Sequence, residues 1–280
     1  MYYYILDPTN IATEKFERYQ IELQGLLAEF NVSGETARVT PLRSITDLVD
    51  IASNRGVKTI VACGNDDTFN LMLASLRGRD FVLGFIPLDE NSYLGKILGV
   101  NSIASAVKTI AGRRIERIDL ANVGPAYFIS YLELGLSLNE IKKAGFFSGL
   151  RMLGSSTTNI TIRIDDSYNL EIDTLSTLIV NTRSTSSKDA SVANPTDGYL
   201  DILILEKCKT SDLLRYKSLI IEGLFEQVPN SSVIRCKQVE CLEPKGTPIR
   251  LAGKVITKFP ATIHIAQERL RMIVGKTRTF

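Results

Sequence analysis

The alternation of apolar strand-like runs with amphipathic helical segments over the first 112 residues constrains the fold more than any other feature of the chain. Tyr2 to Leu6 and the β-branched run Val57 to Cys63 are typical of buried strands, and Ser44 to Asn54 predicts a helix with a serine cap. Strands that alternate with helices favour a parallel sheet joined by right-handed crossovers. Ligands bind such sheets where the carboxyl ends of strands meet loops, so residues 64–68 and 87–92 are the predicted ligand-binding loops.

The pattern changes after about Glu116, where long alternating or β-branched segments indicate mostly antiparallel sheet. Predicted strands lie at 117–122, 126–134, 159–164, 175–182, 200–205, 233–241 and 262–265, with helices at about 139–153 and 211–223 and a long loop at 183–197. The predicted fold class is therefore α/β followed by β. Residues 1–116 are predicted to form a three-layer α/β domain. Residues 117–280 are predicted to form a β-sandwich-like domain, and a return of its last strand to the first domain is left open.

Charge and hydropathy argue against two kinds of partner. Thirty-three basic residues against 31 acidic ones leave a formal net charge of +2, which gives no electrostatic footprint for non-specific nucleic-acid binding. No stretch reaches the roughly 18 uninterrupted apolar residues that a membrane span needs. The segment Met1 to Asp7 lacks the basic start and long apolar run of a signal peptide, so we expect a cytoplasmic protein.

The chain contains one histidine and four cysteines. His264 lies between Ile263 and Ile265 in an alternating run, which favours a strand residue over a catalytic base. The cysteines form no Cys-x-x-Cys pair. Zinc sites of the usual Cys and His type, and serine triads that use histidine, are therefore not expected.

The first predicted loop, Gly64-Asn65-Asp66-Asp67-Thr68, lies between a strand and a helix. Unpaired backbone N–H groups and the helix dipole favour an anion at such a turn. The motif alone also fits a structural turn in which Asp67 or Thr68 caps the helix. Further segments, met in order along the chain, strengthen the functional interpretation.

Five segments in chain order resemble the motifs of one enzyme family. They are Gly64-Asn65-Asp66-Asp67-Thr68, Pro87 to Lys96 with Leu98-Gly99 after it, Ile118-Asp119-Leu120, Tyr127 to Gly135, and Asp197-Gly198-Tyr199-Leu200-Asp201. Together they resemble the diacylglycerol kinase catalytic-domain family, the bacterial lipid kinases related to sphingosine kinases and more distantly to NAD kinases. The last segment is the most specific of the five, because NAD kinases are not expected to carry it.

The resemblance implies an N-terminal domain of the nucleotide-binding type shared by NAD kinases and diacylglycerol kinases. It implies phosphoryl transfer that depends on ATP and Mg²⁺, with a lipid hydroxyl such as that of a diacylglycerol as the acceptor. The lipid is expected in the cleft between the two predicted domains. Peripheral contact with the inner face of a membrane and a homodimer are both compatible with the resemblance.

The resemblance also assigns roles to individual residues. Asp66 and Asp119 are expected in the catalytic metal network, and Asp197 and Asp201 are expected to hold a structural Mg²⁺. A β-turn that begins at Asp197 is the alternative interpretation of that second pair. The residues expected to bind the nucleotide are Gly64, Asn65, Asp66, Thr68, Asn91, Ser92 and Lys96.

Several residues depart from the family pattern. Asp67, Asp89 and Glu90 add carboxylates to the two loops, which opposes phosphate binding unless a cation intervenes. Tyr93 stands in place of an acid, and Ala252-Gly253-Lys254 stands where the family has Asp-Gly-Glu, whose glutamate is taken to be the general base. The alternative function is therefore a catalytically inactive pseudokinase that binds a lipid or a protein partner.

The predicted helix at about 139–153 has two interpretations. Lys142, Lys143 and Arg151 flank an apolar face, which suits contact with anionic lipid headgroups. A helix packed on the core with a solvated basic edge fits the same pattern. The second interpretation is the simpler one.

Overall fold

The structure is a computed structural model that describes residues 1–143, 157–184 and 193–280. The chain divides into two compact units. The first unit comprises Met1–Ile118 together with Glu268–Phe280, and the second comprises Asp119–Gln267. The first unit is built around a parallel sheet and the second around antiparallel strands.

The sheet of the first unit contains five strands. They are β1 (Tyr2–Leu6), β2 (Glu35–Arg38), β3 (Thr59–Gly64), β4 (Val82–Pro87) and the end of β15 (Ala261–Ile273). Their order in space is β2, β1, β3, β4 and β15, and every pairing is parallel. The predicted parallel sheet is confirmed.

Five helices cover this sheet. They are α1 (Thr13–Glu29), α2 (Ile45–Asn54), α3 (Asp66–Ser75), α4 (Tyr93–Leu98) and α5 (Ile103–Gly112). Helix α1 packs against α5, whereas α2 packs against α3. Every residue of β3 and β4 is buried, which requires cover on both faces of the sheet. The predicted three-layer arrangement is confirmed.

Local signals in the sequence determine how these elements begin and end. Helix α2 begins after Ser44, whose hydroxyl accepts from Asp47 N, and Ser44 N donates to the Asp47 carboxylate at 2.8 Å. This is the serine cap that the sequence predicts. Gly64 pairs with Pro87 at the ends of β3 and β4. The two predicted loops therefore leave the same edge of the sheet.

The second unit consists mainly of antiparallel strands. They are β5 (Ile115–Val123), which begins in the first unit, β6 (Ala126–Phe128), β7 (Tyr131–Gly135), β8 (Thr158–Ile164), β9 (Tyr168–Val180), β10 (Leu200–Glu206), β11 (Ser231–Cys236), β12 (Gln238–Glu243), β13 (Pro248–Leu251), β14 (Lys254–Lys258) and the first part of β15. Strands β14, β13, β7, β9, β8, β12 and β15 follow one another, and β9 also pairs with β10, which pairs with β11.

Two apolar clusters lie on opposite faces of β10. Ile202 and Ile204 belong to one cluster, whereas Leu203 and Leu205 belong to the other. Since successive side chains of a strand point to opposite faces, this assignment shows that both faces of β10 are covered. A strand buried on both faces fits the predicted β-sandwich-like architecture.

Short helices accompany these strands. They are α6 (Leu138–Lys143), α7 (Thr210–Arg215), α8 (Lys217–Ile221) and a 3₁₀ turn at Phe225–Gln227. The single helix predicted at 211–223 is therefore two helices that meet at Tyr216. The helix predicted at 139–153 is described only as far as Lys143, and its continuation with Arg151 lies outside the described residues. No helix in the described ranges is both long and apolar enough to cross a membrane.

Two predicted strands are interrupted. The run 126–134 breaks at Ile129 and Ser130, where the carbonyl of Ser130 accepts from both Asn181 N and Thr182 N. The run 233–241 breaks at Lys237, whose N–H donates to the Asp165 carboxylate at 2.9 Å. In both places a backbone group forms a hydrogen bond with a residue distant in sequence, and this bond replaces a bond to a neighbouring strand.

Candidate active site

The first predicted loop folds into a capped turn between β3 and α3. Asn65 is the N-cap of α3, since Thr68 N donates to Asn65 Oδ1 at 3.0 Å and Asn65 N donates to Thr68 Oγ1 at 3.2 Å. These reciprocal bonds satisfy backbone groups that a helix start leaves without partners. The expectation that Asp67 or Thr68 is the cap is wrong, because Asn65 takes that position.

Thr68 also fastens the turn to the neighbouring strand. Its hydroxyl donates to Asp7 Oδ2 at 2.7 Å, and Asp7 is buried directly after β1. A Cβ added at Gly64 would clash with Thr68 Oγ1. Only glycine therefore allows Thr68 to lie this close to the end of β3. This requirement explains the glycine that opens the motif.

Asp66 joins the first predicted loop to the second. Its Oδ1 accepts from Ser92 Oγ at 2.5 Å, and its Oδ2 accepts from Tyr93 N at 2.9 Å and from Leu94 N at 3.3 Å. Ser92 is itself the N-cap of α4 and accepts from Gly95 N at 2.8 Å. A carboxylate at the start of α3 thus determines where α4 begins.

Burial governs the charge of this carboxyl group. Burial raises the pKa of Asp66, and the negative charge of Asp89 acts in the same direction. The hydrogen bonds from Ser92, Leu94 and Tyr93 lower the pKa but do not cancel the effect of burial. The charged form of Asp66 therefore depends on the three donors that surround it.

The remaining acidic residues of the two loops lie nearer the solvent. Asp89 and Glu90 are exposed and Asp67 is half-buried. Asn91 N donates to Asp89 Oδ1 at 3.0 Å, and Lys15 Nζ lies 4.0 Å from Glu90 Oε1. The Asp89 carboxylate thus closes a short turn within the second loop. Two predicted nucleotide-binding residues, Asn91 and Lys96, are exposed at this edge.

A metal ion at this edge would need ligands from outside the protein. Among the described residues there is no group of three or more His, Cys, Asp and Glu side chains that could hold a metal ion. Mg²⁺ is usually bound through one or two carboxylates together with substrate phosphates. A Mg²⁺ ion at this edge would therefore take part of its ligands from a bound nucleotide.

Asp119, the other predicted metal residue, is buried in the second unit. Its Oδ2 accepts from Gly198 N at 2.6 Å, and its carbonyl accepts from Asn181 Nδ2 at 2.8 Å. Asn181 Oδ1 is buried and has no hydrogen-bond partner in the part of the chain that the structure describes. Asp119 is thus connected to the Asp-Gly-x-Leu-Asp segment, which sequence separation alone does not reveal.

The two predicted ligands of a structural Mg²⁺ both contact protein donors. Asp197 Oδ1 accepts from Tyr199 N at 3.0 Å, and Asp197 Oδ2 forms an ion pair with Arg235. Asp201 is buried, and its Oδ2 accepts from Ala193 N at 2.6 Å. The bond from Tyr199 N to Asp197 Oδ1 closes an Asx-turn through the side chain, which differs from the backbone β-turn of the alternative interpretation.

The position of the expected general base is a tight turn. Ala252 and Gly253 have positive φ values of 51° and 78°, and Lys254 begins β14 directly after them. Lys254 is exposed. A buried carboxylate lies next to this turn: Glu133 on β7 is 2% exposed and accepts from Leu138 N at 2.9 Å and from Gly253 N.

Glu133 is the acidic residue that the sequence reasoning missed. Burial raises its pKa, and the hydrogen bonds from Leu138 and Gly253, with the charge of Arg250, act in the opposite direction. The available signal was a lone acid between two leucines, Leu132 and Leu134, in an apolar strand. Such a residue is rarely buried without a specific partner.

Comparisons with known proteins find similarity to lipid kinases. Residues 4–123 match the family model described as the diacylglycerol kinase catalytic domain. A diacylglycerol kinase of Bacillus subtilis is 24% identical in an alignment of 252 positions that spans 83% of this chain and 82% of that protein. A candidate lipid kinase of Streptococcus pneumoniae is 22% identical in an alignment of 284 positions that spans 96% of both proteins.

A solved structure shares the fold. The crystal structure of a diacylglycerol kinase from Bacillus anthracis superimposes with a TM-score of 0.78. The superposition covers 99% of this chain and 98% of that chain, at 17% sequence identity. The predicted combination of an α/β domain with a mostly β region is therefore confirmed.

Proposed function

We propose that this chain, whose residues 4–123 match the diacylglycerol kinase catalytic domain, transfers a phosphoryl group from ATP to a lipid hydroxyl with the help of Mg²⁺. A relative named as a diacylglycerol kinase suggests the class of the acceptor. The nucleotide is proposed to bind at the edge of the first unit where loops 64–68 and 87–92 meet.

The observation that carries this proposal is the contact between those two loops. Asp66 accepts from the hydroxyl of Ser92 and from Tyr93 N, so one carboxylate holds both loops in a single arrangement. Phosphoryl transfer depends almost entirely on positioning and on electrostatic stabilisation. A preformed pair of loops at the carboxyl ends of β3 and β4 supports that kind of catalysis.

The chain's own residues divide the work at this edge. We assign Asp66 to positioning, because its carboxylate bonds to three protein donors. Lys96, in the last turn of α4, supplies positive charge near the loops. A bound Mg²⁺ would offset the repulsion between phosphates and the acids Asp67 and Asp89, which amounts to a few kcal/mol, roughly, at an effective dielectric near 20.

The experiment that tests the proposal combines binding with turnover. Purified protein is titrated with ATP, with and without Mg²⁺, while its melting temperature is recorded, since a ligand that binds only the folded state raises it. Transfer of labelled phosphate to diacylglycerol in mixed micelles is measured in parallel. We expect a saturable rise in melting temperature that requires Mg²⁺, together with labelled lipid.

Asp66→Asn is the informative variant, and Asp47→Asn is its matched control. Asp47 caps α2 in the same unit but contacts neither loop. We expect Asp66→Asn to lose roughly 10- to 100-fold in turnover, the usual consequence of a small misplacement. Asp47→Asn should retain wild-type turnover. Equal turnover in wild type and Asp66→Asn, or no ATP response in wild type, would contradict the proposal.

A second candidate function is a pseudokinase that binds lipid or protein without phosphoryl transfer. Lys254 favours it, because an exposed amine stands where the family's glutamate base is expected. An amine acts as a base only when its pKa is strongly lowered. Wild-type protein that binds vesicles containing diacylglycerol, but phosphorylates none of a panel of acceptor lipids, would support this candidate over the first.

A further inference from the structure

We propose that Arg235 holds the Asp-Gly-x-Leu-Asp segment of the second unit and takes the place of the divalent cation expected there. The segment runs from Asp197 to Asp201 and leads into β10. Its two acids are the metal ligands that the family resemblance implies. The side-chain contacts do not fit a metal ion at this position.

The carboxylate of Asp197 is already occupied. Its Oδ2 forms an ion pair with the guanidinium of Arg235, and its Oδ1 accepts from Tyr199 N at 3.0 Å. A metal ion would have to displace the guanidinium or approach beside it. The second route places like charges together, which is unfavourable.

The other acids near the segment are engaged as well. Asp201 Oδ2 accepts from Ala193 N at 2.6 Å, which closes the chain from residue 193 to residue 201 into a loop. Asp119 Oδ2 accepts from Gly198 N at 2.6 Å. Each carboxylate therefore stabilises the backbone directly, which is the task that a structural cation would otherwise perform.

Arg235 is well placed to replace a cation. It lies on β11 in register with Asp201 of β10, so the strand pairing delivers its side chain to the segment. Its guanidinium also lies over the ring of Tyr199, 4.8 Å from the centroid. An ion pair and a cation–π contact thus fasten two successive parts of the turn, Asp197 and Tyr199.

This inference is independent of the proposed phosphoryl transfer. It predicts that Mg²⁺ does not stabilise the protein when nucleotide is absent. Any effect of Mg²⁺ on an ATP titration can then be assigned to the nucleotide. The inference therefore also determines how the binding experiment is interpreted.

The test is the melting temperature of nucleotide-free protein in EDTA and in millimolar Mg²⁺ or Ca²⁺. We expect the wild type to melt at the same temperature in all three. Arg235→Ala should melt about 2–4 °C lower than wild type. This is the usual shift when a domain of this size loses roughly 1 kcal/mol of unfolding free energy. Lys237→Ala is the matched control, because Lys237 also lies over Tyr199 but forms no ion pair with Asp197.

Two results would overturn the inference. One is a saturable rise in the wild-type melting temperature with Mg²⁺ or Ca²⁺ that Asp197→Asn abolishes. The other is an Arg235→Ala variant that melts no lower than Lys237→Ala. A double-mutant cycle with Asp197→Asn checks that the lower stability of Arg235→Ala comes from the ion pair between Arg235 and Asp197. If it does, the stability lost by the double variant is smaller than the sum of the losses in the two single variants.

Discussion

Asp66 in the first unit and Glu133 in the second are both acidic residues whose carboxylates bind the first turn of a short helix. Asp66 accepts from Tyr93 N and Leu94 N of α4. Glu133 accepts from Leu138 N of α6. Each also reaches a second segment: Asp66 joins two loops, and Glu133 joins α6 to the turn at Gly253. Burial raises the pKa of both.

Their surroundings differ. Asp66 is half-buried and lies at an open edge beside the exposed acid Asp89, whereas Glu133 is fully enclosed on β7. The same interaction can therefore position a predicted ligand-binding loop in one unit and only stabilise the fold in the other. Glu133 lies next to the turn that carries Lys254, so its enclosure also indicates that it is not a freely accessible base.

Replacing Glu133 should have the largest effect on stability. Glu133→Ala leaves the buried donor Leu138 N without an acceptor and removes the contact with Gly253 N. This costs about 3 kcal/mol and lowers the melting temperature by about 6–12 °C. Glu140→Ala is the control, because Glu140 is exposed and accepts from Ser137 at the same helix start. Loss of that exposed cap costs about 1 kcal/mol. Equal losses would show that the enclosure of Glu133 is unimportant.

Asp66→Ala should be the next most harmful change. It removes the acceptor of Ser92 Oγ, Tyr93 N and Leu94 N, but water can reach this half-buried site and replace part of the lost bonding. We expect a loss of about 2 kcal/mol in unfolding free energy, measured by denaturant titration. A loss larger than that of Glu133→Ala would reverse the comparison between the two carboxylates.

The pH dependence of stability should separate charge from geometry. The folded-state pKa of Glu133 is raised, so between its ordinary value and the raised one the folded state binds more protons than the unfolded state. Its contribution is complete below that window and falls as pH rises through it, by at most about 1.4 kcal/mol per pH unit. Melting temperatures of wild type should therefore fall relative to Glu133→Gln as the pH rises above the ordinary glutamate pKa of 4.5. If the melting temperatures of wild type and Glu133→Gln changed in parallel with pH, this would contradict the burial of a titrating carboxyl group at residue 133.

Much of the first unit follows from local signals in the sequence. Ser44 marks the start of α2, and the β-branched run before Gly64 marks β3, because capping and strand propensity act over a few residues. The start of α3 was harder to predict. Apolar periodicity places it at Phe69, whereas the polar capping box of Asn65 and Thr68 starts it at Asp66.

The contacts of the candidate site depend on residues far apart in sequence. Asp66 was predicted as a site residue from its motif, but its bonds to Ser92 and Tyr93 arise only when β3 and β4 align. The turn at Gly253 and its contact with Glu133 depend on the pairing of β13 with β7. The pattern of apolar residues within a segment does not show which distant strand that segment will pair with. The hairpin of β13 and β14 was therefore not predicted.

The smallest predicted effect concerns Asp67, the neighbour of Asp66. We take Asp66 to act by positioning the two loops and Asp67 to act only through its charge. Asp66→Asn should then weaken ATP binding, whereas Asp67→Asn should tighten it. Asp67→Asn removes one negative charge from the edge and should tighten ATP binding about fivefold, which corresponds to roughly 1 kcal/mol for a half-buried charge that solvent screens in part. Isothermal titration at low ionic strength measures this change, and added salt should reduce it. Asp80→Asn, whose acid pairs with Arg271 instead, should leave the affinity unchanged. Weaker binding by Asp67→Asn would mean that this carboxylate holds the metal ion that accompanies the nucleotide.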